Sequence, residues 1–157
     1  MPTITPCLWF DTEGEEAATF YVSLFDNSRI TDVSYYGEGG PRPAGTALTV
    51  AFELDGRPFL ALNGGPQYHF TEAISMSVDC PTQADADRYW DALVDGGEPG
   101  QCGWLKDRFG LSWQIVPSEL PSLLGDPDPE RAQRAMQAML SMSKLDIDAI
   151  RHAADAA

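Results

Sequence analysis

Residues 102–117, CGWLKDRFGLSWQIVP, decide the fold, because a strand, a polar turn and a second strand follow one another in this stretch. Turn-forming residues at 107–110 join the strand that follows them to an earlier strand at 103–105. In the later strand every second side chain is apolar, and the residues between them are mostly polar. The apolar set is Leu111, Trp113 and Ile115, and the other set is Ser112, Gln114 and Val116. The stretch predicts a half-buried hairpin, and from this stretch alone the polar face could simply lie in water.

The composition favours one acidic domain. At 157 residues and 17.1 kDa, the chain is long enough to bury a single core. A formal net charge of −14 and a pI near 4.2 make nucleic acid and membrane surfaces unfavourable partners. Cys7, Cys80 and Cys102 are widely spaced, which predicts free thiols in a reducing cytosol rather than a disulfide scaffold or a zinc site. No apolar run approaches the length of a membrane-spanning helix, and the N-terminus lacks a signal-peptide pattern, so we expect a cytoplasmic protein.

The first half of the chain predicts a strand, a helix and further strands. Residues 4–10 have a strand pattern, and Thr12 with Glu15 three residues later has the pattern of a capping box at a helix start. Residues 29–36 predict a second strand, which is followed by a loop rich in Gly and Pro at 37–45. These elements suit one strand–helix–strand unit.

A clear hairpin pattern follows, and then the chain repeats itself. Residues 46–63 alternate in polarity around Asp55-Gly56, a dipeptide that is typical of a two-residue hairpin turn. A strand pattern then returns at 73–79, and Gly96-Gly97 ends a second helix. At an offset of roughly 70 residues the key positions correspond in order: Ile4, Leu8, Thr12, Glu15 and Phe20 with Ile74, Val78, Thr82, Asp85 and Trp90. We infer two copies of one unit.

A helical extension completes the predicted α+β fold. Residues 120–127 are predicted as a connector, and Asp128-Pro129 has the pattern of an N-cap followed by proline at the first helical position. The helix that follows has a methionine-rich apolar face, which is typical of core or of a subunit contact. Residues 144–156 predict a last short helix, and its inward side chains are Ile147, Ile150 and Ala154.

These segments resemble the PhnB-like branch of the vicinal oxygen chelate superfamily, also called the glyoxalase, bleomycin-resistance and dioxygenase fold. The resembling segments span nearly the whole chain: TPCLWFD (5–11), FYVSLF (20–25), LALNGG (60–65), WLKDRFGLSWQIVP (104–117) and AMLSMSKLDIDAI (138–150). The resemblance implies a single domain of two βαβββ modules, 3–65 and 72–118, with an extension at 119–157. It also implies a curved mixed sheet around a cavity, normally in a homodimer.

Members of this family are often labelled 3-demethylubiquinone-9 3-methyltransferases. Methyl transfer from S-adenosylmethionine generally needs a glycine-rich turn between a strand and a helix, where the backbone approaches the cofactor. The nearest candidate, GEG at 37–39, is followed by Pro41 and Pro43 instead of a helix pattern, which favours a surface loop. We therefore predict no cofactor.

The superfamily's metal enzymes place one His or Glu ligand on each of four strands. By resemblance, these positions fall close to Thr5, Ala61 or Leu62, Ala73 and Gln114. Only Gln114 could offer an oxygen, and one neutral amide does not hold a divalent ion. His69 and His152, in a loop and near the C-terminus, do not complete a ligand set. The resemblance thus predicts a site without a metal.

Strand parity leaves one predicted cavity face, with small, polar and aromatic side chains. Such a lining suits an apolar or aromatic ligand that a few hydrogen bonds orient. The predicted ligand-binding residues are Thr5, Cys7, Trp9, Phe59, Ala61, Asn63, Ser75, Ser77, Ser112 and Gln114. The alternative is that these side chains only satisfy one another in a filled interior.

Three functions remain open at this point. The first is metal-free binding of a small apolar or aromatic molecule, as in a sequestration or resistance module. The second is an enzyme of the superfamily, a lyase, dioxygenase or labelled methyltransferase, that uses Asn63, Gln114 or Cys7 in place of a metal. The third is a purely structural dimer. No acid–base pair is evident, so no catalytic residue is assigned.

Overall fold

The fold repeats one strand–helix–three-strand arrangement and then adds three helices, as seen in a computed structural model that describes residues 1–156. The chain divides into two units, Met1–Phe70 and Thr71–Ala157. Each unit contains one four-stranded mixed sheet. The α+β fold class and the sequence repeat are therefore confirmed.

The first unit contains four strands and one helix. They are β1 (Cys7–Phe10), α1 (Gly14–Leu24), β2 (Arg29–Tyr35), β3 (Ala47–Leu54) and β4 (Arg57–Asn63). The sheet order is β1-β4-β3-β2, with β1 parallel to β4 and the other neighbours antiparallel. Asp55 and Gly56 adopt φ values of 49° and 73°, the left-handed conformation that a two-residue hairpin turn requires. The predicted hairpin is confirmed.

Helix α1 begins later than predicted. Its first residue is Gly14, its N-cap is Glu13, and no N-cap side chain bonds to the helix, so the predicted Thr12 and Glu15 capping box is wrong. The backbone N–H of Gly14 donates instead to Asn63 Oδ1 at 2.7 Å. A side chain 49 residues away thus supplies the acceptor that a local cap normally provides.

The second unit repeats the topology in a shorter form. Its elements are β5 (Ser75–Cys80), α2 (Gln83–Val94), β6 (Glu98–Pro99), β7 (Trp104–Lys106) and β8 (Ser112–Pro117). The sheet order is β5-β8-β7-β6, with β5 parallel to β8. The predicted hairpin is the β7–β8 pair, and the predicted cap is confirmed, because Thr82 Oγ1 accepts a hydrogen bond from Asp85 N at 3.1 Å. The two-residue strand β6 was not predicted.

A buried carboxylate organises the β7–β8 turn. Asp107 is 2% exposed, and its Oδ1 accepts hydrogen bonds from Phe109 N at 2.8 Å and Leu111 N at 3.1 Å. Its Oδ2 accepts one from Trp113 Nε1 at 2.8 Å. The carboxylate therefore ties the turn to the indole of the following strand, and burial of its charge is offset by three hydrogen bonds.

Three helices follow the second sheet: α3 (Leu120–Leu124), α4 (Pro129–Leu140) and α5 (Ile147–Asp155). The predicted connector is wrong for its first half, because Leu120 and Leu123 are both buried and form one side of α3. The Asp128 cap is confirmed by its bond from Glu130 N at 3.0 Å. The inward side chains of α5 are those predicted. Within residues 1–156, no helix is long and apolar enough to cross a membrane.

Candidate functional site

The register of the first sheet sorts the predicted site residues onto two different faces. Paired residues on neighbouring strands share a face, and Leu8 pairs with Ala61 while Phe10 pairs with Asn63. This is the face that α1 covers, because a Cβ placed on Gly14 would lie 3.3 Å from the Ala61 side chain. Phe59 lies on the same face, stacked at 5.5 Å on the buried ring of Phe52. Phe59, Ala61 and Asn63 therefore belong to the helix-covered side.

Cys7 and Trp9 lie on the opposite side of this sheet, where they pair with Leu60 and Leu62. The prediction that all of these residues share one face is therefore wrong. Strand alternation correctly grouped Phe59, Ala61 and Asn63 on one face of β4. The prediction then placed the wrong face of β4 beside Cys7 and Trp9, because the polar but buried Asn63 resembled a site residue. Thr5 is exposed and precedes β1, outside the sheet.

Asn63 is held by three hydrogen bonds, two to backbone groups and one to a tyrosine hydroxyl. Besides the bond from Gly14 N to its Oδ1, its Nδ2 donates to the Ala47 carbonyl at 3.1 Å. The backbone carbonyl of Asn63 accepts a hydrogen bond from the Tyr36 hydroxyl at 2.5 Å. The side chain is 5% exposed and joins α1, β3 and β4. Both polar atoms of the amide are thus engaged in holding the unit together.

The side of the first sheet that α1 leaves uncovered, here called the open face of the first unit, is apolar along β1 and β4 and polar along β2, where Asp32 and Ser34 lie on it. It carries Cys7, Trp9, Leu60 and Leu62, with Thr49 and Ala51 of β3 beside them. Trp9 Nε1 donates to the Gly65 carbonyl at 2.8 Å, and the Tyr68 ring meets the indole edge-on at 4.9 Å. Desolvation raises the pKa of the Cys7 thiol. This face therefore presents a fixed aromatic ring with aliphatic neighbours.

The second sheet brings its four predicted residues together. Ser75 pairs with Ser112, and Ser77 with Gln114, so all four lie on one face. The other face carries Trp113, Ile115 and Leu105, which are each at most 2% exposed and lie on β7 and β8, two of the strands that contact α2. The four polar residues thus lie on the open face of the second unit, opposite α2.

Two further residues of β7 share this open face. Trp104 pairs with Gln114, and Lys106 pairs with Ser112. Gln114 Nε2 donates to Ser75 Oγ at 2.9 Å, whereas Ser112 is 1% exposed and its Oγ has no hydrogen-bond partner in the described part of the chain. The strand alternation of the hairpin could have identified Trp104 and Lys106, but the prediction followed only β8.

Lys106 forms an ion pair with Glu72, which precedes β5. The hydrogen bond from Lys106 lowers the pKa of the Glu72 carboxyl, and the same bond raises the pKa of the lysine. Both groups are therefore charged at neutral pH. The pair is partly solvated, with the two side chains 38% and 62% exposed, so its net contribution to folding is small.

A cleft of about 670 Å³ lies in the first unit beside the start of α1. Its polar side includes Arg42, whose Nη2 donates to Asp11 Oδ1 at 3.1 Å. Its walls are Thr12, Glu15, Tyr35, Pro41, Arg42, Pro43, Gly45, Thr46, Ala47 and Asn63. Of the predicted residues, only Asn63 is among them. The single basic residue in the Gly- and Pro-rich loop was the available signal for this cleft.

The positions that resemble metal-ligand positions do not gather a ligand set. In the described part of the chain, no group of three or more His, Cys, Asp or Glu side chains is arranged to hold a metal ion. His69 is exposed in the loop before β5, and His152 is exposed on α5. Ala61 lies under α1, whereas Leu62 lies on the open face of the first unit.

A family model described as 3-demethylubiquinone-9 3-methyltransferase matches residues 2–116 of this chain. The chain belongs to this family. A PhnB protein from Bacillus cereus whose name carries the same methyltransferase description is 34% identical, with a TM-score of 0.69. The match covers 74% of this chain and 99% of that one. The family's residues thus include both sheets, and α3, α4 and α5 follow them.

More distant structures share the fold. A protein from Pseudomonas aeruginosa is 21% identical with a TM-score of 0.61, and the match covers 74% of this chain and 98% of that one. The fosfomycin resistance protein FosX from Listeria monocytogenes, solved with Mn(II) and sulfate, is 12% identical with a TM-score of 0.54. That match covers 79% and 95% of the two chains. The family membership and the Bacillus cereus relative confirm the PhnB-like resemblance, and the two more distant structures show a shared fold. A comparison with curated proteins finds no match.

Proposed function

We propose that this family member binds a small apolar or aromatic molecule without a metal ion, on the open faces of its sheets. The observation that carries the proposal is the open face of the first unit, where Trp9 stands fixed beside Leu60 and Leu62. An indole with aliphatic neighbours offers a flat, desolvated contact to an aromatic ligand.

The open face of the second unit carries polar groups of its own. Ser75, Ser77, Ser112 and Gln114 offer hydroxyl and amide groups next to the Trp104 ring. A few such polar groups on a mainly apolar surface orient a ligand and provide specificity. The resembling metal positions carry Thr5, Ala61 or Leu62, Ala73 and Gln114, none of which is a His or a carboxylate, and this supports recognition without a metal.

Cys7 provides a direct test, because it is an exposed thiol on the open face of the first unit. In a Cys102→Ser variant, N-ethylmaleimide should modify Cys7 and leave the buried Cys80 intact. A neutral aromatic probe, 1-naphthamide, should slow the modification of Cys7 and raise the melting temperature of the protein. An unchanged modification rate across a series of neutral aromatic compounds would contradict the proposal.

Methyl transfer is a second candidate, because both the family model and the Bacillus cereus relative carry that description. The two strand-to-helix connections, DTE at 11–13 and PT at 81–82, contain no glycine, so they lack the usual backbone approach to a nucleotide-like cofactor. Calorimetric titration with S-adenosylmethionine tests this function. Micromolar binding followed by methyl transfer to a phenol would establish it.

Other chemistry of the superfamily, as in a lyase or a dioxygenase, would need a group that replaces the metal. Of the three candidates, Asn63 has both amide atoms engaged, and Cys7 has a raised pKa that lowers its thiolate fraction. Among residues 1–156, Gln114 forms a side-chain hydrogen bond only through its Nε2. Turnover that persists in a chelator and is lost in Gln114→Ala would favour such an enzyme over a binding protein.

We further propose that the chain acts as a single domain within a homodimer. Met136 and Leu140, one turn apart on α4, are 39% and 57% exposed, and such apolar surface suits a subunit contact. Sedimentation at micromolar concentration should show a particle of about twice the 17.1 kDa chain mass. A single particle of chain mass would refute the dimer, and two separate unfolding transitions would refute the single domain.

A further inference from the structure

The Ser112 hydroxyl is the one buried side-chain polar atom in residues 1–156 without a hydrogen-bond partner. Ser112 lies on the open face of the second unit, with Ser75 on one side and Lys106 on the other. Buried hydroxyls are normally paired, because an unpaired one has lost its water without any replacement. A ligand that forms a hydrogen bond with the Ser112 hydroxyl would therefore supply the partner that residues 1–156 do not.

The Lys106–Glu72 ion pair joins β7 to the segment before β5, on the two sides of the strand that carries this hydroxyl. Strand β8 lies between β7 and β5 in the sheet. Lys106 projects from β7 on the same face as Ser112, and Glu72 lies three residues before Ser75, the β5 partner of Ser112. The contact between the lysine ammonium and the Glu72 carboxylate therefore joins segments on the two sides of β8, whose first residue is Ser112.

The carboxylate of Glu72 thus contacts the cation of Lys106, and the strand partner of Lys106 is Ser112, whose hydroxyl is unsatisfied. A ligand carboxylate in its place would accept hydrogen bonds from both the ammonium and the hydroxyl, which are charge-assisted and therefore strong. Glu72 is 62% exposed, so it can swing into water at little cost when a ligand displaces it.

We propose that the open face of the second unit binds an apolar or aromatic carboxylic acid, whose carboxylate replaces Glu72 on Lys106 and accepts a hydrogen bond from the Ser112 hydroxyl. This inference rests on the proposed function, which it narrows to one ligand class. Trp104 lies two residues before Lys106 in β7 and on the same face. It provides an aromatic contact for the ring of such an acid.

The test is a calorimetric comparison of 1-naphthoate with 1-naphthamide, which have the same ring system and differ in charge. Wild-type protein should bind the acid roughly tenfold more tightly than the amide. Glu72→Gln removes the competing carboxylate and should raise the affinity for naphthoate about two- to fivefold, with no change for the amide. Lys106→Met and Ser112→Ala should each weaken only naphthoate, and Lys106→Arg should restore most of the preference.

Asp95→Asn is the matched control, because Asp95 is 80% exposed, pairs with Arg108 at the hairpin turn, and its replacement changes the net charge by the same amount as Glu72→Gln. It should leave the preference for the acid unchanged. Equal affinity for both compounds, or an equal gain from Glu72→Gln and Asp95→Asn, overturns the carboxylate inference while leaving the proposed function standing. Failure of both compounds to bind wild type and Glu72→Gln overturns both.

Discussion

Replacement of the neighbouring residues Trp113 and Gln114 should separate folding from ligand binding. Trp113 is 2% exposed and lies on the face of the sheet that α2 covers, whereas Gln114 is half-buried on the open face. We expect Trp113→Ala to destabilise the protein strongly. We expect Gln114→Ala to leave the fold intact and to weaken binding of an aromatic probe.

The magnitudes follow from the contacts of each side chain. Trp113→Ala removes a buried indole, which costs about 3–5 kcal/mol, and it also withdraws one of the three hydrogen bonds to the buried Asp107. Trp113→Phe keeps most of the ring and removes only that bond, so it should cost about 1–3 kcal/mol. Gln114→Ala loses one partly buried bond to Ser75, for which about 1 kcal/mol is expected.

Urea unfolding of the four proteins, followed by far-UV circular dichroism, gives the three differences in unfolding free energy. A domain stable by about 5–15 kcal/mol tolerates the Gln114 change and is threatened by Trp113→Ala. Ser77→Ala, on the same open face, serves as the neutral control. If Gln114→Ala destabilises the protein as much as Trp113→Ala, Gln114 is a structural amide and the open-face site is wrong.

Three further predictions address the cap, a buried thiol and metal dependence. Gly14→Ala should cost about 1–2 kcal/mol in urea unfolding, because its Cβ would lie 2.6 Å from Asn63 Oδ1 and disturb the cap of α1. Gly37→Ala is the control and should be nearly neutral, because a Cβ on Gly37 would have no atom within 4 Å. Equal destabilisation by the two changes would exclude the cap as the cause. Burial raises the pKa of Cys80 from 9.0 to about 11. The folded state therefore favours the neutral thiol, and the resulting contribution to the unfolding free energy should be intact below pH 9 and disappear as pH rises toward 11. A Cys80→Ala protein that loses stability identically over that range would contradict this. Probe binding should persist after dialysis against a chelator, and stoichiometric zinc, nickel or iron whose removal abolishes binding would refute metal-free recognition.

Features that depend on neighbouring residues were predictable from the sequence. The β7–β8 hairpin, the Asp55-Gly56 turn and the caps at Thr82 and Asp128 were predicted, because each arises from short-range backbone geometry. The inward face of α5 also follows from the helical period. The repeat of these local patterns then indicated two units of the same topology.

The tertiary structure alone decided how the faces of different strands combine. The pleat fixes which residues of one strand share a face, but the register between strands depends on pairing between distant segments, and a shift of one residue exchanges the faces. This is why Ser75, Ser77, Ser112 and Gln114 came together as predicted, while Phe59, Ala61 and Asn63 lie under α1. For the same reason the Asn63 cap of Gly14 and the Lys106–Glu72 pair were not evident in the sequence. Their partners are brought together only by the folded sheet.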